Sequence, residues 1–137
     1  MAQYFLQVLA TLAIVLLTKR LFARPRPLVP TEAKRMVDLR SKETNCSWPS
    51  GDAAQASLFV FFIAFNFPYF ALDIGGLTML KFIAMVAIGR VFHHCHYFGD
   101  TIGGALIGYF VAVIFFNLDI IVPVPAKWDR ALAALTR

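Results

Sequence analysis

The sequence contains little charge for its length and very few cysteines. Of its 137 residues, 15% are charged and 59% are hydrophobic, a composition too apolar for an ordinary soluble domain of this size. The two cysteines, Cys46 and Cys95, are too few for a disulfide framework and lack the short spacing of a metal-binding pair. Internal repeats and low-complexity tracts are also lacking. The lack of repeats excludes a repeat protein, and the small number of cysteines excludes a scaffold held together by disulfides. The low charge favours a protein embedded in the lipid bilayer.

Long apolar runs are present instead, at roughly 2–18, 53–72, 74–92 and 101–122. Each run is close to the 20 or so residues that span a hydrocarbon core of about 30 Å. The pattern predicts an all-α, polytopic membrane helical bundle of about four transmembrane helices, forming a single membrane-embedded domain over residues 1–137. The localisation expected is that of a multi-pass integral membrane protein.

The positive charge is concentrated in one part of the chain. The net charge is +5, and most of the basic residues lie between Lys19 and Lys42. Such a concentration suits anionic lipid headgroups, a phosphate-bearing substrate or nucleic acid. The apolar runs argue against nucleic acid, which leaves membrane lipids and a phosphate-bearing ligand as the expected partners.

Counting the spans places the polar segments on one side of the membrane. The loop 19–52 and the segment 93–100 share one face, whereas the link 68–73 and the tail 123–137 lie on the other. The second and fourth helices begin at the polar face, so their unpaired amides and positive dipole ends point into it. An anion site is expected there, with Ser50 as the N-cap of the second helix and Asp100 as the N-cap of the fourth.

Three clusters of polar residues fall on this face: Lys19 with Arg26-Pro27, then Pro49-Ser50-Gly51-Asp52, then Arg90 with His96 and Asp100. Each cluster alone has an ordinary interpretation. Basic residues commonly anchor the end of a transmembrane helix at the interface, a histidine there can be structural, and an aspartate can simply cap a helix. It is the combination of the three that indicates chemistry.

In order and spacing the clusters resemble the phosphatidic acid phosphatase type 2 and vanadium haloperoxidase superfamily. Its motifs read Lys-x6-Arg-Pro, Pro-Ser-Gly-His and Ser-Arg-x5-His-x3-Asp, and this chain has Lys19 to Arg26-Pro27, Pro49 to Asp52, and Gly89-Arg90 to His96 to Asp100. The resemblance implies the reduced core of a six-helix lipid phosphatase fold. A soluble haloperoxidase is a poor match for so apolar a chain.

The resemblance also implies a role for each residue. His96 would be the catalytic nucleophile that forms a phosphohistidine, and Asp100 would hydrogen-bond the other imidazole nitrogen and fix the tautomer. Asp52 stands at the position of the general acid. No metal and no cofactor are implied. The substrate phosphate would be held by a set of cationic and amide groups, namely Lys19, Arg26, Ser50, Gly51 and Arg90.

Two positions depart from the family motifs. Gly89 replaces a serine and so removes one hydroxyl donor to the phosphate, which is expected to weaken binding rather than abolish it. Asp52 replaces the histidine that protonates the leaving group. An aspartate among cationic side chains is expected to be ionised at neutral pH, to be a poor acid and to repel phosphate. His93 or His94 could supply the proton instead.

Two functions therefore remain open. The first is an integral membrane phosphatase acting on a lipid phosphate or a polyisoprenoid diphosphate through a phosphohistidine. The second is a catalytically weakened relative that serves as a structural subunit of a membrane protein complex, as a homo-oligomer or with other proteins. The glycines Gly104 and Gly108 form a GxxxG face suited to close helix packing.

Two further patterns have weaker interpretations. The run from His93 to His96 contains good zinc ligands, but adjacent residues do not easily face one ion and no second ligand cluster is present. The stretch 31–39 mixes apolar and basic residues, which suits either a short helix lying on the headgroups or a solvated loop.

Overall fold

The computed structural model describes residues 2–29 and 38–118, and within these ranges the chain is helical with no strand. This confirms the predicted all-α bundle. The predicted surface segment 31–39 and the tail 123–137 lie mostly or wholly outside the described residues. The helices are α1 (Ala2–Phe22), α2 (Gly51–Asn66), α3 (Pro68–Ile74), α4 (Gly76–Phe92) and α5 (Phe98–Asn117).

The second predicted run is interrupted, because α2 ends before Phe67 and the short α3 follows. Proline has no amide hydrogen and is tolerated at the first position of a helix, so Pro68 begins α3 instead of continuing α2. Gly75, with a φ of 82°, then turns the chain into α4, a conformation that glycine adopts without steric cost. The four longer helices correspond to the four apolar runs.

Helix α1 has its polar side chains inside the protein and its leucines outside. Leu6, Leu9, Leu16 and Leu17 are exposed, while the buried residues follow a four-residue spacing: Gln3, Gln7, Thr11, Val15 and Lys19. This distribution is expected for a helix surrounded by lipid, where polar side chains face neighbouring helices. By length and composition, α1 and α5 are each long and apolar enough to cross a membrane.

Helices α2 and α5 form the centre of the bundle, with α1 and α4 packed against both. The contact depends on glycine, because a Cβ at Gly104 would collide with the carbonyl oxygen of Ser50 and one at Gly108 with that of Ala54. Gly103 accommodates the ring of Trp48 in the same way. The predicted GxxxG face is thus confirmed as an internal contact that brings the first turns of α2 and α5 together.

Replacing Gly108 with alanine is expected to destabilise the protein, because the new Cβ would lie too close to the backbone of α2. Overpacking of this kind costs about 1–3 kcal/mol. Gly99→Ala is the matched control, since nothing lies within 4 Å of a Cβ at that position. Thermal unfolding of both variants in one detergent should show a lower midpoint for Gly108→Ala alone, and equal midpoints would contradict the close contact.

Candidate active site

A pocket of about 160 Å³ lies where α1 ends and α2 begins, close to the end of α4. Six of the eight sequence-predicted site residues line it, whereas Ser50 and Asp100 are not among the lining residues. The pocket's polar lining also contains two residues that the sequence did not single out, Glu43 and Asn45. The predicted residues in the pocket are Lys19, Arg26, Gly51, Asp52, Arg90 and His96.

Ser50 builds the helix end that faces the pocket. Its backbone is extended, and its hydroxyl accepts a hydrogen bond from the Ala53 amide at 3.4 Å, so the predicted N-cap is confirmed. The Ser50 side chain is fully buried and its amide donates to the Asp100 carbonyl at 2.9 Å. The wall of the pocket at this point is Gly51, where the absence of a side chain exposes the first turn of α2.

Two cations are fixed by backbone carbonyls. Lys19 Nζ donates to the Cys46 carbonyl at 2.5 Å. Arg26 donates from Nη1 to the Cys95 carbonyl at 2.5 Å and from Nε to the Asn45 carbonyl at 2.8 Å. Both residues are buried. These bonds hold the loop after α1 against the loops that precede α2 and α5, so the cations are in place before any ligand binds.

His96 is buried and its tautomer follows from its partners. Nδ1 lies 2.7 Å from the carbonyl oxygen of Ser47, which can only accept, so Nδ1 carries the hydrogen. Nε2 is then unprotonated and accepts from Arg26 Nη1 at 3.2 Å. The unprotonated nitrogen is therefore the one that faces the cations of the pocket.

Burial, together with the charge of Arg26, lowers the pKa of His96 to about 4, although the bond to Ser47 opposes the shift. A histidine in this state is neutral at pH 7. A neutral imidazole with a lone pair on Nε2 is the form that can act as a nucleophile.

Asp100 does not bond His96 directly, which differs from the prediction. Its Oδ2 lies 3.8 Å from His96 Nδ1, beyond hydrogen-bond distance. Instead the fully buried carboxylate accepts from Arg24 Nη1 at 2.7 Å and from the Ser47 hydroxyl. Asp100 therefore positions the peptide of Ser47, and the carbonyl of that peptide holds the imidazole.

The prediction that Asp100 is the N-cap of the last helix was also wrong. Helix α5 begins at Phe98 and Tyr97 is its N-cap. Asp100 is the third residue of the helix, and its carboxylate accepts from the Tyr97 amide at 2.9 Å. Asp100 still satisfies an unpaired amide at the start of α5, but it does so from the third position of the helix and not from the N-cap position.

Glu43 is the charged residue of the pocket that sequence reasoning missed. Its carboxylate bridges two guanidinium groups, with Oε2 2.8 Å from Arg26 Nη2 and Oε1 bonded to Arg90 Nη2. Burial raises the pKa of Glu43, but the bond from Arg90 and the charges of both arginines outweigh burial and leave it below its ordinary value. Glu43 belongs to none of the three motifs, and the sequence carries no spacing signal for it.

Asp52 lies at the mouth of the pocket, with 57% of its side chain exposed, and forms an ion pair with Arg90 Nε at 2.8 Å. Arg90 thus holds two carboxylates, those of Asp52 and Glu43. His93 and His94 are not among the residues that line the pocket. In the described part of the chain, no three His, Cys, Asp or Glu side chains are grouped so that they could share a metal ion.

The fold and the pocket together define a class: an all-helical protein with a cluster of cationic side chains and a neutral imidazole at one end of its bundle. The sequence model of the PAP2 superfamily matches residues 1–119. The chain belongs to the PAP2 superfamily, as its three motifs predicted. Searches of curated proteins and of solved structures gave no match.

The protonation state of His96 can be measured directly. The chain has three histidines, so the double variant His93→Gln, His94→Gln leaves His96 as the sole imidazole. Histidine-labelled NMR titration in detergent should give a midpoint near 4, whereas a midpoint near the ordinary value of about 6.5 would contradict the buried neutral state. Since the unfolded chain takes up this proton first, stability should fall as pH decreases from about 6.5 to 4.

Proposed function

We propose that the protein is a multi-pass integral membrane phosphatase that hydrolyses a lipid phosphate or a polyisoprenoid diphosphate through a phosphohistidine on His96. The observation that carries the proposal is the unprotonated Nε2 of the buried His96, which accepts from Arg26 inside a pocket also lined by Lys19 and Arg90. The chain's membership of the PAP2 superfamily supports the same reaction class.

The charges of the pocket suit a phosphoryl group in transfer. Such a group spreads negative charge over its equatorial oxygens, and preorganised cations and amides stabilise that charge without solvent reorganisation. Lys19, Arg26 and Arg90 supply the cations. The first turn of α2, open at Gly51, supplies a positive helix end.

Two displacements complete the proposed reaction. In the first, His96 Nε2 attacks phosphorus, the bond from phosphorus to the leaving oxygen breaks, and that oxygen, where it is an alkoxide, takes a proton from solvent water. In the second, water attacks phosphorus, the phosphorus–nitrogen bond breaks, and orthophosphate leaves as the imidazole is restored. The hydrogen on Nδ1 stays bonded to the Ser47 carbonyl, which stabilises the positive charge that the ring acquires while phosphorylated.

The same pocket has an apolar side, which supports a lipid substrate. Leu12, Val15 and Leu16 of α1 line it next to Lys19. Leu12 and Leu16 are exposed on the outer surface of the bundle, so the lining is continuous from the cations to the surface that lipid would cover. A phosphate held at Arg26 would place an attached hydrocarbon chain along this face of α1.

His96→Ala should abolish release of orthophosphate, a fall on the order of 10³ or more because the nucleophile is removed. His94→Ala is the matched control, since His94 does not line the pocket, and it should keep most of the activity. The measurement is phosphate release by purified protein from a panel of lipid monophosphates and diphosphates, with rapid quenching to trap an acid-labile phosphoprotein. Unchanged turnover in His96→Ala would reject the mechanism.

A second candidate function is a structural subunit of a membrane complex, as a homo-oligomer or with other membrane proteins. The observation that favours it is the pair of carboxylates, Glu43 and Asp52, that occupies Arg90 at the position where phosphate would bind. In that case no member of the substrate panel would release phosphate, and the protein would purify from mild detergent in a complex of defined composition.

Asp52 at the general-acid position predicts a preference among leaving groups. A monoester expels an alkoxide that needs a proton, and loss of an acid costs about 10² to 10⁴ in rate. A diphosphate expels a much weaker base. The parent protein should therefore favour diphosphates, and Asp52→His should raise monoester turnover much more than diphosphate turnover.

His93→Ala and His94→Ala serve as controls for an alternative proton donor. If either lowers monoester turnover selectively, that histidine is the acid and the assignment to position 52 is wrong. Equal effects of Asp52→His on both substrate classes would reject the leaving-group argument itself.

A further inference from the structure

Glu43 has no part in the proposed reaction, yet it lines the cationic pocket and its carboxylate bridges Arg26 and Arg90. We propose that Glu43 is an internal stand-in for the substrate phosphate and that it raises the affinity a ligand needs in order to occupy the pocket. In the empty protein it holds Arg26 and Arg90, and a ligand must displace it to bind. The proposal rests on the assignment of this pocket as the phosphate site.

The geometry is that of a bound anion. One carboxylate oxygen of Glu43 bonds the guanidinium of Arg26 and the other bonds that of Arg90, as two oxygens of a phosphate would. Arg26 and Arg90 have 3% and 14% of their side chains exposed, and Glu43 has 24%. The bridge is therefore largely removed from water, and charge-assisted bonds of this kind are among the stronger ones in proteins.

The carboxylate can leave without unfolding the loop that carries it. The backbone of Glu43 is held separately, since its amide donates to the Arg40 carbonyl at 3.1 Å and its carbonyl accepts from Arg40 Nη1 at 3.1 Å. Asn45 is held by Arg26 Nε through its carbonyl. Rotation of the Glu43 side chain alone would open the space between the arginines.

Charge decides which ligand can replace it. A phosphodiester carries one negative charge, as the carboxylate does, so the exchange gains no charge and the free ligand must compete with a tethered group whose effective concentration is millimolar or higher. A terminal phosphate carries about −1.5 to −2 near pH 7. It gains the additional attraction of Arg26, Arg90 and Lys19. In a bilayer made largely of phosphodiester lipids, Glu43 would keep the pocket free of bulk headgroups.

The test measures binding rather than turnover. Orthophosphate and dimethyl phosphate are titrated into the purified full chain in detergent, followed by calorimetry or ³¹P NMR, for the parent and for Glu43→Gln. Removing the internal competitor should tighten both ligands. Displacing Glu43 costs the same free energy for either ligand, so both affinities should rise by the same factor, on the order of tenfold, the size expected for one charge-assisted bond.

Two further variants keep the result interpretable. Asp38→Asn removes the same charge from the same loop at an exposed position, and it should change either affinity by less than about twofold, as surface charges usually do. Glu43→Asp keeps the charge on a shorter side chain that cannot reach both guanidiniums, and it should lie between the parent and Glu43→Gln. Thermal unfolding of each variant confirms that the fold is retained.

Each alternative outcome contradicts the inference in a distinct way. Weaker or unchanged orthophosphate binding in folded Glu43→Gln would mean that Glu43 holds the arginines in position and does not compete with ligand. A gain confined to one of the two ligands would contradict the displacement of Glu43 as a step that both share. Tight, Glu43-dependent phosphate binding without any His96-dependent hydrolysis would uphold this inference and reject the proposed phosphatase activity, so the two fail separately.

Discussion

The site is organised by one buried carboxylate, that of Asp100. It is completely excluded from solvent and accepts from three donors: Arg24 Nη1, the Ser47 hydroxyl and the Tyr97 amide. These donors belong to the segments that follow α1, precede α2 and precede α5. Leaving a buried charge without its partner typically costs about 3–5 kcal/mol, so the three segments are held together strongly. The loops that carry the cations and the imidazole meet because they converge on this group.

The packing of α2 on α5 makes that convergence possible. Gly104 and Gly108 let the two helices approach until a Cβ would touch the opposite backbone, and the Ser50 amide then reaches the Asp100 carbonyl. Both helices consequently begin at the same end of the bundle, and the first turn of α2 opens into the pocket at Gly51. The close contact in the bundle and the cationic pocket at its end are thus parts of one arrangement.

Much of this arrangement could be predicted from sequence because it depends on signals that are periodic or closely spaced. Apolar runs gave the long helices, and motif spacing identified Lys19, Arg26 and His96. The break before Pro68 follows from a local rule that the length of the apolar run had hidden. Glu43 bridges Arg26 and Arg90, and Ser47 lies between Asp100 and His96. Both contacts depend on how the loops pack against one another. Contacts of this kind leave no periodicity in the sequence, so they could not be foreseen.

The placement of Ser47 between Asp100 and His96 has a chemical consequence. A carboxylate bonded directly to the imidazole would favour its protonated form, whereas the carbonyl of Ser47 offers a dipole in place of a full charge. Asp100 Oδ2 lies 3.8 Å from His96 Nδ1, and Arg26 donates to Nε2. These surroundings favour the neutral ring of His96, in agreement with its pKa of about 4. Glu43 also belongs to this balance, because it neutralises part of the charge of Arg26 and Arg90 while no ligand is bound. Three cations can therefore surround an unprotonated histidine, as the proposed phosphate site requires.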